Sequence, residues 1–210
     1  MLSLMVSPTQ SAFGWGGGGG GGGGSAGMKG PEPSASTSSF FPYTIAASEG
    51  QIFVVVPGDN KIRGYQYWSP GTIYDKNGNL VTEFGSRGIN DGQFQKPKGI
   101  DVSEDKIFVA DSSNYRIQVF DLDGNFLFKF GSKGTGDGQF DCPQDIKFYK
   151  NQIYVVDSDN HRIQIFDIGG NFIAKFGSEG KEDGELKKPY KFDIYDDKIF
   201  IVEPFGDRIQ

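Results

Sequence analysis

From about residue 42 onward the chain is made of short runs in which apolar and polar residues alternate. Residues 97–130 show the pattern in full. Pro97 has no N–H to donate and marks the start of an extended segment, in which Ile100 and Val102 fall on one face. Lys106–Asp111 (KIFVAD) is apolar on both faces, the pattern of a central strand buried between neighbours. The loop SSN leads to Arg116–Phe120 (RIQVF), and Asp123-Gly124 turns the chain into Phe126–Phe130 (FLFKF). Asp-Gly between two such runs is a hairpin signal. In the fourth run Phe126, Phe128 and Phe130 share one face, while Lys129 stands on the other, matched by Glu83 and Lys175 in neighbouring units. A charge recurring there keeps an exposed sheet edge from pairing with other chains, so the fourth strand is predicted to be outermost.

This pattern repeats. Pro42, Pro97, Pro143 and Pro189 stand 55, 46 and 46 residues apart, and Ile52, Ile107, Ile153 and Ile199 keep the same series. Phe84-Gly85, Phe130-Gly131 and Phe176-Gly177 lie 46 apart, as do Arg116, Arg162 and Arg208. The first unit is therefore the same unit with nine extra residues. Four antiparallel strands in about 40–50 residues make a β-propeller blade. The expected fold is all-β, an incomplete open arc with blades at 42–96, 97–142 and 143–188 and a partial blade at 189–210. A single blade cannot bury both of its flat faces, so the end blades of an arc leave apolar surface open. The expectation is a fragment of a longer protein, or self-association of two arcs through those open blade faces.

Residues 1–41 differ in kind. An unbroken glycine run from Gly16 to Gly24 precedes GPEPSASTSS, and only Lys29 and Glu32 are charged. Such a Gly/Ser/Pro-rich segment buries too little apolar surface to offset its ordering entropy and is predicted to be a disordered tail. Because the tail is neutral, the whole formal charge of −6 falls on the blades. An acidic body repels phosphates, which disfavours nucleic acid as a partner. Cys142 is the one cysteine, which excludes an internal disulfide or a cysteine-rich zinc site within the chain, and it is expected to be a half-buried filler. Met1–Val6 is apolar but short, with no Lys or Arg before it, and makes a poor secretory signal as it stands. A cytoplasmic compartment is one expectation; the other is an extracytoplasmic one, residues 1–13 then being the remnant of a longer signal. No later run is long and apolar enough to span a membrane.

Several motifs carry potential chemistry. Asp111 and Arg116, Asp157 and Arg162, and Glu203 and Arg208 flank one loop of each unit, five residues apart. Recurrence in successive units points to a structural pair, expected to be bidentate, that locks the loop. The first unit departs, with Val56 at the acid position and Lys61 read at the arginine position. The connections GSRGINDGQF, GSKGTGDGQF and GSEGKEDGEL lack the GK[ST] ending of a phosphate loop and read as turns that need φ > 0. DLDGN at Asp121 looks like the start of a calcium loop, yet its sixth and twelfth positions are Phe126 and Ser132, where an EF-hand needs Gly and Glu. His161, the single histidine, has Tyr115 and Asp207 as counterparts and no evident catalytic or metal partners. No catalytic residue, cofactor or metal ligand is assigned. The extra residues of the first unit, RGYQYWSPGTI, bring Tyr65, Tyr67 and Trp68 together, with Tyr74 beyond the turn signal Ser69-Pro70-Gly71. They are predicted to form a long hairpin between the third and fourth strands. Exposed Trp and Tyr carry much interface energy, so these four are the candidate partner-binding residues.

The run P-x-x-I-x-V, then IFVAD, NYRIQVFD, DGNF, FG and GDGQF, kept in the third unit as VVDSDNHRIQIFD, GGNF, FG and EDGEL, resembles the NHL-repeat family over residues 42–210. The resemblance implies a propeller, one that usually closes with around six blades. For chemistry it implies little, because the family includes scaffolds, RNA binders and enzymes. The leading expectation is a non-catalytic scaffold that binds a protein or small ligand. One alternative is a piece of a propeller enzyme, of lyase or hydrolase type, whose catalytic residues lie in other blades. Propeller enzymes such as the amidating lyases place several histidines around a metal, and this protein has one. Another alternative is the substrate-recognition propeller of a ubiquitin-ligase-like or RNA-binding protein.

Overall fold

The computed structural model describes residues 44–48, 50–55 and 71–210. The tail at 1–41, together with Val56, Lys61, Tyr65, Tyr67 and Trp68, lies outside them.

The strands follow the alternation. The first sheet holds β1 (Thr44–Ser48), β2 (Gln51–Val55), β3 (Gly71–Asp75) and β4 (Leu80–Phe84). Two-residue strands β5 (Ser86–Arg87) and β6 (Gln93–Phe94) pair in parallel within the connection that follows. The second sheet comprises β7 (Pro97–Val102), β8 (Ile107–Asp111), β9 (Arg116–Phe120) and β10 (Phe126–Phe130). The third repeats it as β11 (Pro143–Tyr149), β12 (Gln152–Asp157), β13 (Arg162–Asp167) and β14 (Phe172–Phe176). The fourth has β15 (Lys191–Tyr195), β16 (Lys198–Glu203) and β17 (Arg208–Ile209). All pairs within these four sheets are antiparallel between sequence neighbours, and the first strands β1, β7, β11 and β15 lie side by side. The sheets thus fan out as an open arc of propeller blades. Among the described residues the only helical pieces are the 3₁₀ turns Ser112–Asn114 and Ser158–Asn160, and no helix is long and apolar enough to cross a membrane.

The fourth strand lies at the edge of each four-stranded sheet. On β10, Phe126, Phe128 and Phe130 turn inward while Leu127 and Lys129 are exposed. Lys129 pairs with Asp91, and Lys175 of β14 pairs with Asp137 at 2.5 Å, so the edge charge is tied to the connection below it.

The core lies between sheets rather than within them. Phe53 and Ile73 of the first sheet pack with Ile100, Ile107, Val109 and Phe120 of the second. Phe108, Ala110, Ile117 and Val119 of the second pack with Ile146, Ile153, Val155 and Phe166 of the third. Val156 and Ile163 of the third pack with Phe192 and Ile201 of the fourth. Full burial of one such Phe or Ile is worth about 1.5–3 kcal/mol, and no blade can collect it without a neighbour. That is the physical reason the sequence repeats itself. The Phe-Gly pairs show the fit. Phe130 meets Phe166 with ring centroids 4.9 Å apart, and Phe84 meets Phe120 at 5.0 Å. Gly131 turns at φ +92°, and a Cβ there would come within 2.4 Å of the Phe140 ring, so no other residue fits.

One sequence-based expectation is overturned. The extra residues of the first unit do not lengthen the hairpin between the third and fourth strands. That hairpin, Asp75–Asn79, has the same length and hydrogen bonds as Asp121–Asn125 and Asp167–Asn171. The third strand is Gly71–Asp75, with Tyr74 paired to Ile52 just as Phe120 pairs with Ile107. The insertion therefore falls in residues 56–70, between the second and third strands. In this register the position equivalent to Arg116 is Pro70, not Lys61.

Candidate functional site

The recurring acid and arginine lie where the second strand ends and the third begins. Asp111 closes β8, a 3₁₀ turn follows, Tyr115 reverses the backbone in the left-handed region (φ 56°), and Arg116 opens β9 opposite Asp111. Arg116 Nε donates to Asp111 Oδ2 at 2.8 Å. The bidentate pair expected from the sequence does not form, because the two Nη groups have other partners. Nη1 donates to the carbonyl of Ile89 at 2.9 Å, and Nη2 to those of Asn90 at 2.8 Å and Gln93 at 2.7 Å. These carbonyls belong to the Gly-rich connection from the preceding sheet. Gln118, fully buried on β9, donates to the Gln93 carbonyl and to Asp111 Oδ2, and accepts from the Gly92 N–H. Asn114 bridges Asp111 Oδ2 and the Gly88 carbonyl, and Asp111 Oδ1 accepts from the Gln95 N–H at 2.7 Å.

The same atoms recur 46 residues later. Arg162 Nε donates to Asp157 Oδ2 at 2.8 Å, and its Nη groups donate to the carbonyls of Thr135, Gly136 and Gln139. Gln164 and Asn160 repeat the roles of Gln118 and Asn114. In the fourth sheet Arg208 Nε meets Glu203 Oε1 at 3.0 Å and holds the carbonyls of Lys181 and Glu185, with Gln210 beside it. Each set is a latch. One guanidinium, one carboxylate and a glutamine amide, joined by an asparagine amide in the second and third sheets, clamp the backbone of the preceding connection.

Burial raises the Asp111 and Asp157 carboxyls above their ordinary value, against the opposing pull of their N–H donors and arginines. Glu203 is held below its ordinary value: burial again pushes it up, but the hydrogen bonds from Gln210, the Lys187 N–H and Arg208 outweigh it. Arg208 is also the more open arginine, its side chain 24% exposed against 7% for Arg116 and Arg162.

The glutamines of the latch, Gln118, Gln164 and Gln210, were not singled out by sequence reasoning, although their spacing of 46 in three RIQ triplets was the available signal. A second kind of contact had no such signal. Asp101 Oδ2 on β7 accepts from the Phe148 N–H of β11 at 2.7 Å. Asp145 on β11, 3% exposed, accepts from Lys191 Nζ at 2.9 Å and from the Phe192 N–H of β15. These staples join successive inner strands, and burial raises both carboxyls. β11 passes close to β7 at Gly99, where an added Cβ would lie 2.8 Å from the Asp145 Cα.

The remaining candidates are dispersed. Tyr74 sits in β3, while Tyr65, Tyr67 and Trp68 lie outside the described residues. Cys142 is half-buried, with Lys98 Nζ at 3.4 Å and Gln144 Nε2 at 3.5 Å from its sulfur. His161 takes the left-handed position after the second 3₁₀ turn (φ 53°), its Nδ1 within 3.2 Å of the Leu186 carbonyl and 3.3 Å of the Lys188 nitrogen. Among the described residues no group of three or more His, Cys, Asp or Glu is arranged to hold a metal ion.

The blade architecture agrees with comparisons to known families. Residues 90–146 match a family model described as a 6-bladed beta-propeller, and residues 140–166 match the NHL repeat. Residues 90–166 are thus similar to blades of NHL-repeat propellers. No curated protein sequence matches the chain significantly. Solved structures do. Hydrazine synthase of Kuenenia stuttgartiensis aligns at a TM-score of 0.56 and 15% identity, covering 85% of this protein and 46% of that one. A nidogen/laminin complex gives 0.55 at 15% identity, covering 80% and 57%. A streptogramin B lyase gives 0.52 at 16% identity, covering 80% and 64%. The protein thus spans only about half to two thirds of these relatives, and at such identities the likeness is one of fold.

Proposed function

We propose that this NHL-type arc is a non-catalytic scaffold that binds a protein partner or other ligand through its loops and blade faces. One observation carries the reading. The acid–arginine pairs that recur around the arc are turned inward, their guanidiniums occupied by backbone carbonyls, so the latches offer no ring of free charges to a ligand. Recognition is then left to what departs from the repeat. The largest departure is the insertion at 56–70, with Tyr65, Tyr67 and Trp68 in it and Tyr74 in the strand that follows. Extra loop length is thermodynamically cheap, since closure entropy grows only logarithmically, but three aromatics within four residues are not ordinary loop composition.

The test is recovery of partners from native extract by the intact protein and by Trp68→Ala with Tyr67→Ala. Loss of a defined partner, with the far-UV circular dichroism unchanged, is the expected result. Equal recovery with the fold intact would reduce the insertion to cover for its own blade. The fold likeness to hydrazine synthase and to a streptogramin B lyase favours one second reading, a segment of a propeller enzyme. On that reading the catalytic groups lie outside these blades, and turnover by the whole protein would be unaffected by the same substitutions.

A further inference from the structure

Three turns of one shape join third and fourth strands. In each, the leading aspartate Oδ1 accepts two backbone N–H groups, from Asn77 and Asn79, from Asp123 and Asn125, and from Gly169 and Asn171. In each, a glycine in the left-handed region closes the turn, Gly78 at φ +83°, Gly124 at +86° and Gly170 at +83°. They differ in two respects. The residue before the glycine is an amide only in the first turn. Gly124 is also packed on Phe84 and Gly170 on Phe130, where an added Cβ would come within 2.6 Å, whereas among the described residues nothing lies within 4 Å of that position at Gly78. Asn77, Gly78 and Asn79 are all exposed.

We propose that Asn77-Gly78 is a site of spontaneous covalent modification, a deamidating turn peculiar to the first blade. The Gly78 N–H must first leave the Asp75 carbonyl, 3.0 Å away, which opens a single hydrogen bond. Solvent hydroxide removes its proton, and the nitrogen attacks Cγ of Asn77. A five-membered imide forms as the bond from Cγ to Nδ2 of Asn77 breaks, and ammonia leaves with the proton it needs. Water then opens the imide at either carbonyl, giving an aspartyl residue or an isoaspartyl one whose backbone runs through Cβ. No oxidant or reductant is involved. The lack of a side chain at Gly78 and the open space around it let the ring close and the lengthened backbone fit. At Asp123-Gly124 the same movement would drive the backbone into Phe84. Both products add a carboxylate beside Asp75, so the turn that anchors the outer strand of the first blade is weakened by like charge.

The test is ageing of the full-length protein in mildly alkaline buffer, followed by peptide mapping and labelling with an isoaspartyl methyltransferase. The expected result is a gain of one mass unit confined to residue 77, a mixture of aspartyl and isoaspartyl forms there, and no isoaspartyl at Asp123. Asn77→Gly, which copies Gly169, should abolish the gain and leave the fold unchanged. Retention of the Asn77 amide in the folded protein, while the urea-unfolded protein loses it, would overturn the proposal. So would equal isoaspartyl formation at Asp123.

Discussion

The first and second blades share strand order, pairing register and the Asp–x–x–Gly–Asn turn, yet among the described residues only the second shows the latch. In the first blade the sequence places Val56 where Asp111 stands and Pro70 where Arg116 stands, with Thr72 in the register of Gln118. The sheet β1–β4 forms all the same. A blade is therefore made by apolar alternation, by the turns and by the neighbour that covers its face. The latch does something else: it holds the connection arriving from the previous blade, and a blade can exist without it. The two blades also fill the same corner differently. In the second, Ile117 opposes Phe130; in the first, Gly71 opposes Phe84, whose ring lies where a Cβ would be, 2.2 Å from the ideal position.

The largest expected effect comes from making the second blade resemble the first in part. Arg116→Ala leaves Asp111 fully buried with no countercharge, and breaking a buried pair in this way costs about 3–5 kcal/mol. Urea denaturation should show the loss, and amide exchange should show residues 88–93 unprotected. Adding Asp111→Val should recover the share owed to the stranded carboxylate and leave a deficit from the carbonyls of Ile89, Asn90 and Gln93. Full protection of the connection in Arg116→Ala would mean that the latch does not hold it.

Most of the blade was legible in the sequence because strand periodicity and turn chemistry are local. Pro97, KIFVAD and Asp123-Gly124 each constrain only a few residues around themselves. The recurrence of Asp75, Asp121 and Asp167 at 46 also fixed the third-to-fourth turn, and with it the true place of the insertion. Carrying the 55-residue offset of the first two strands past the loop put the register at Lys61 instead. The latch was half legible. Its side chains recur, but the atoms they clamp are backbone carbonyls 23 to 27 residues upstream, and a carbonyl has no letter in the sequence. The staples were not legible at all. Asp101 and Asp145 do the same work from positions two residues out of phase, with Gly99 and Lys191 at the equivalents of Asp145.

A smaller effect should follow from carrying the difference the other way. Gly71→Ala puts a methyl against the Phe84 ring, an overpacking that costs about 1–3 kcal/mol unless the ring moves. Because Phe84 also meets Phe94 and Phe120, the strain should reach the interface between the two blades. Adding Phe84→Leu should relieve it. Unchanged stability in Gly71→Ala alone would show that the first corner has slack, and that the glycine does not make room for Phe84.

The smallest effect concerns two kinds of carboxylate that the blades keep apart. Asp75, Asp121 and Asp167 head the exposed turns, and each is held below the ordinary value of 3.8 chiefly by the side-chain amide four residues on, Asn79, Asn125 or Asn171. A carboxyl that is more acidic folded than unfolded stabilises above its unfolded value, and that contribution disappears as pH falls through the lower folded value. Asp111 and Asp157 have the opposite sign. Burial raises them, so what they contribute is fully present below 3.8 and is lost as pH rises through the higher folded value. Carboxyl NMR across an acid titration should therefore find the three turn aspartates titrating below 3.8 and the two latch aspartates above it. The first blade, with a turn aspartate but valine at the latch position, should contribute only to the lower group. Asn79→Ala should move Asp75 up toward 3.8 and leave Asp121 and Asp167 where they are. If Asp75 does not move, the side-chain amide is not what holds it down, and the three turns differ more than their shared backbone suggests.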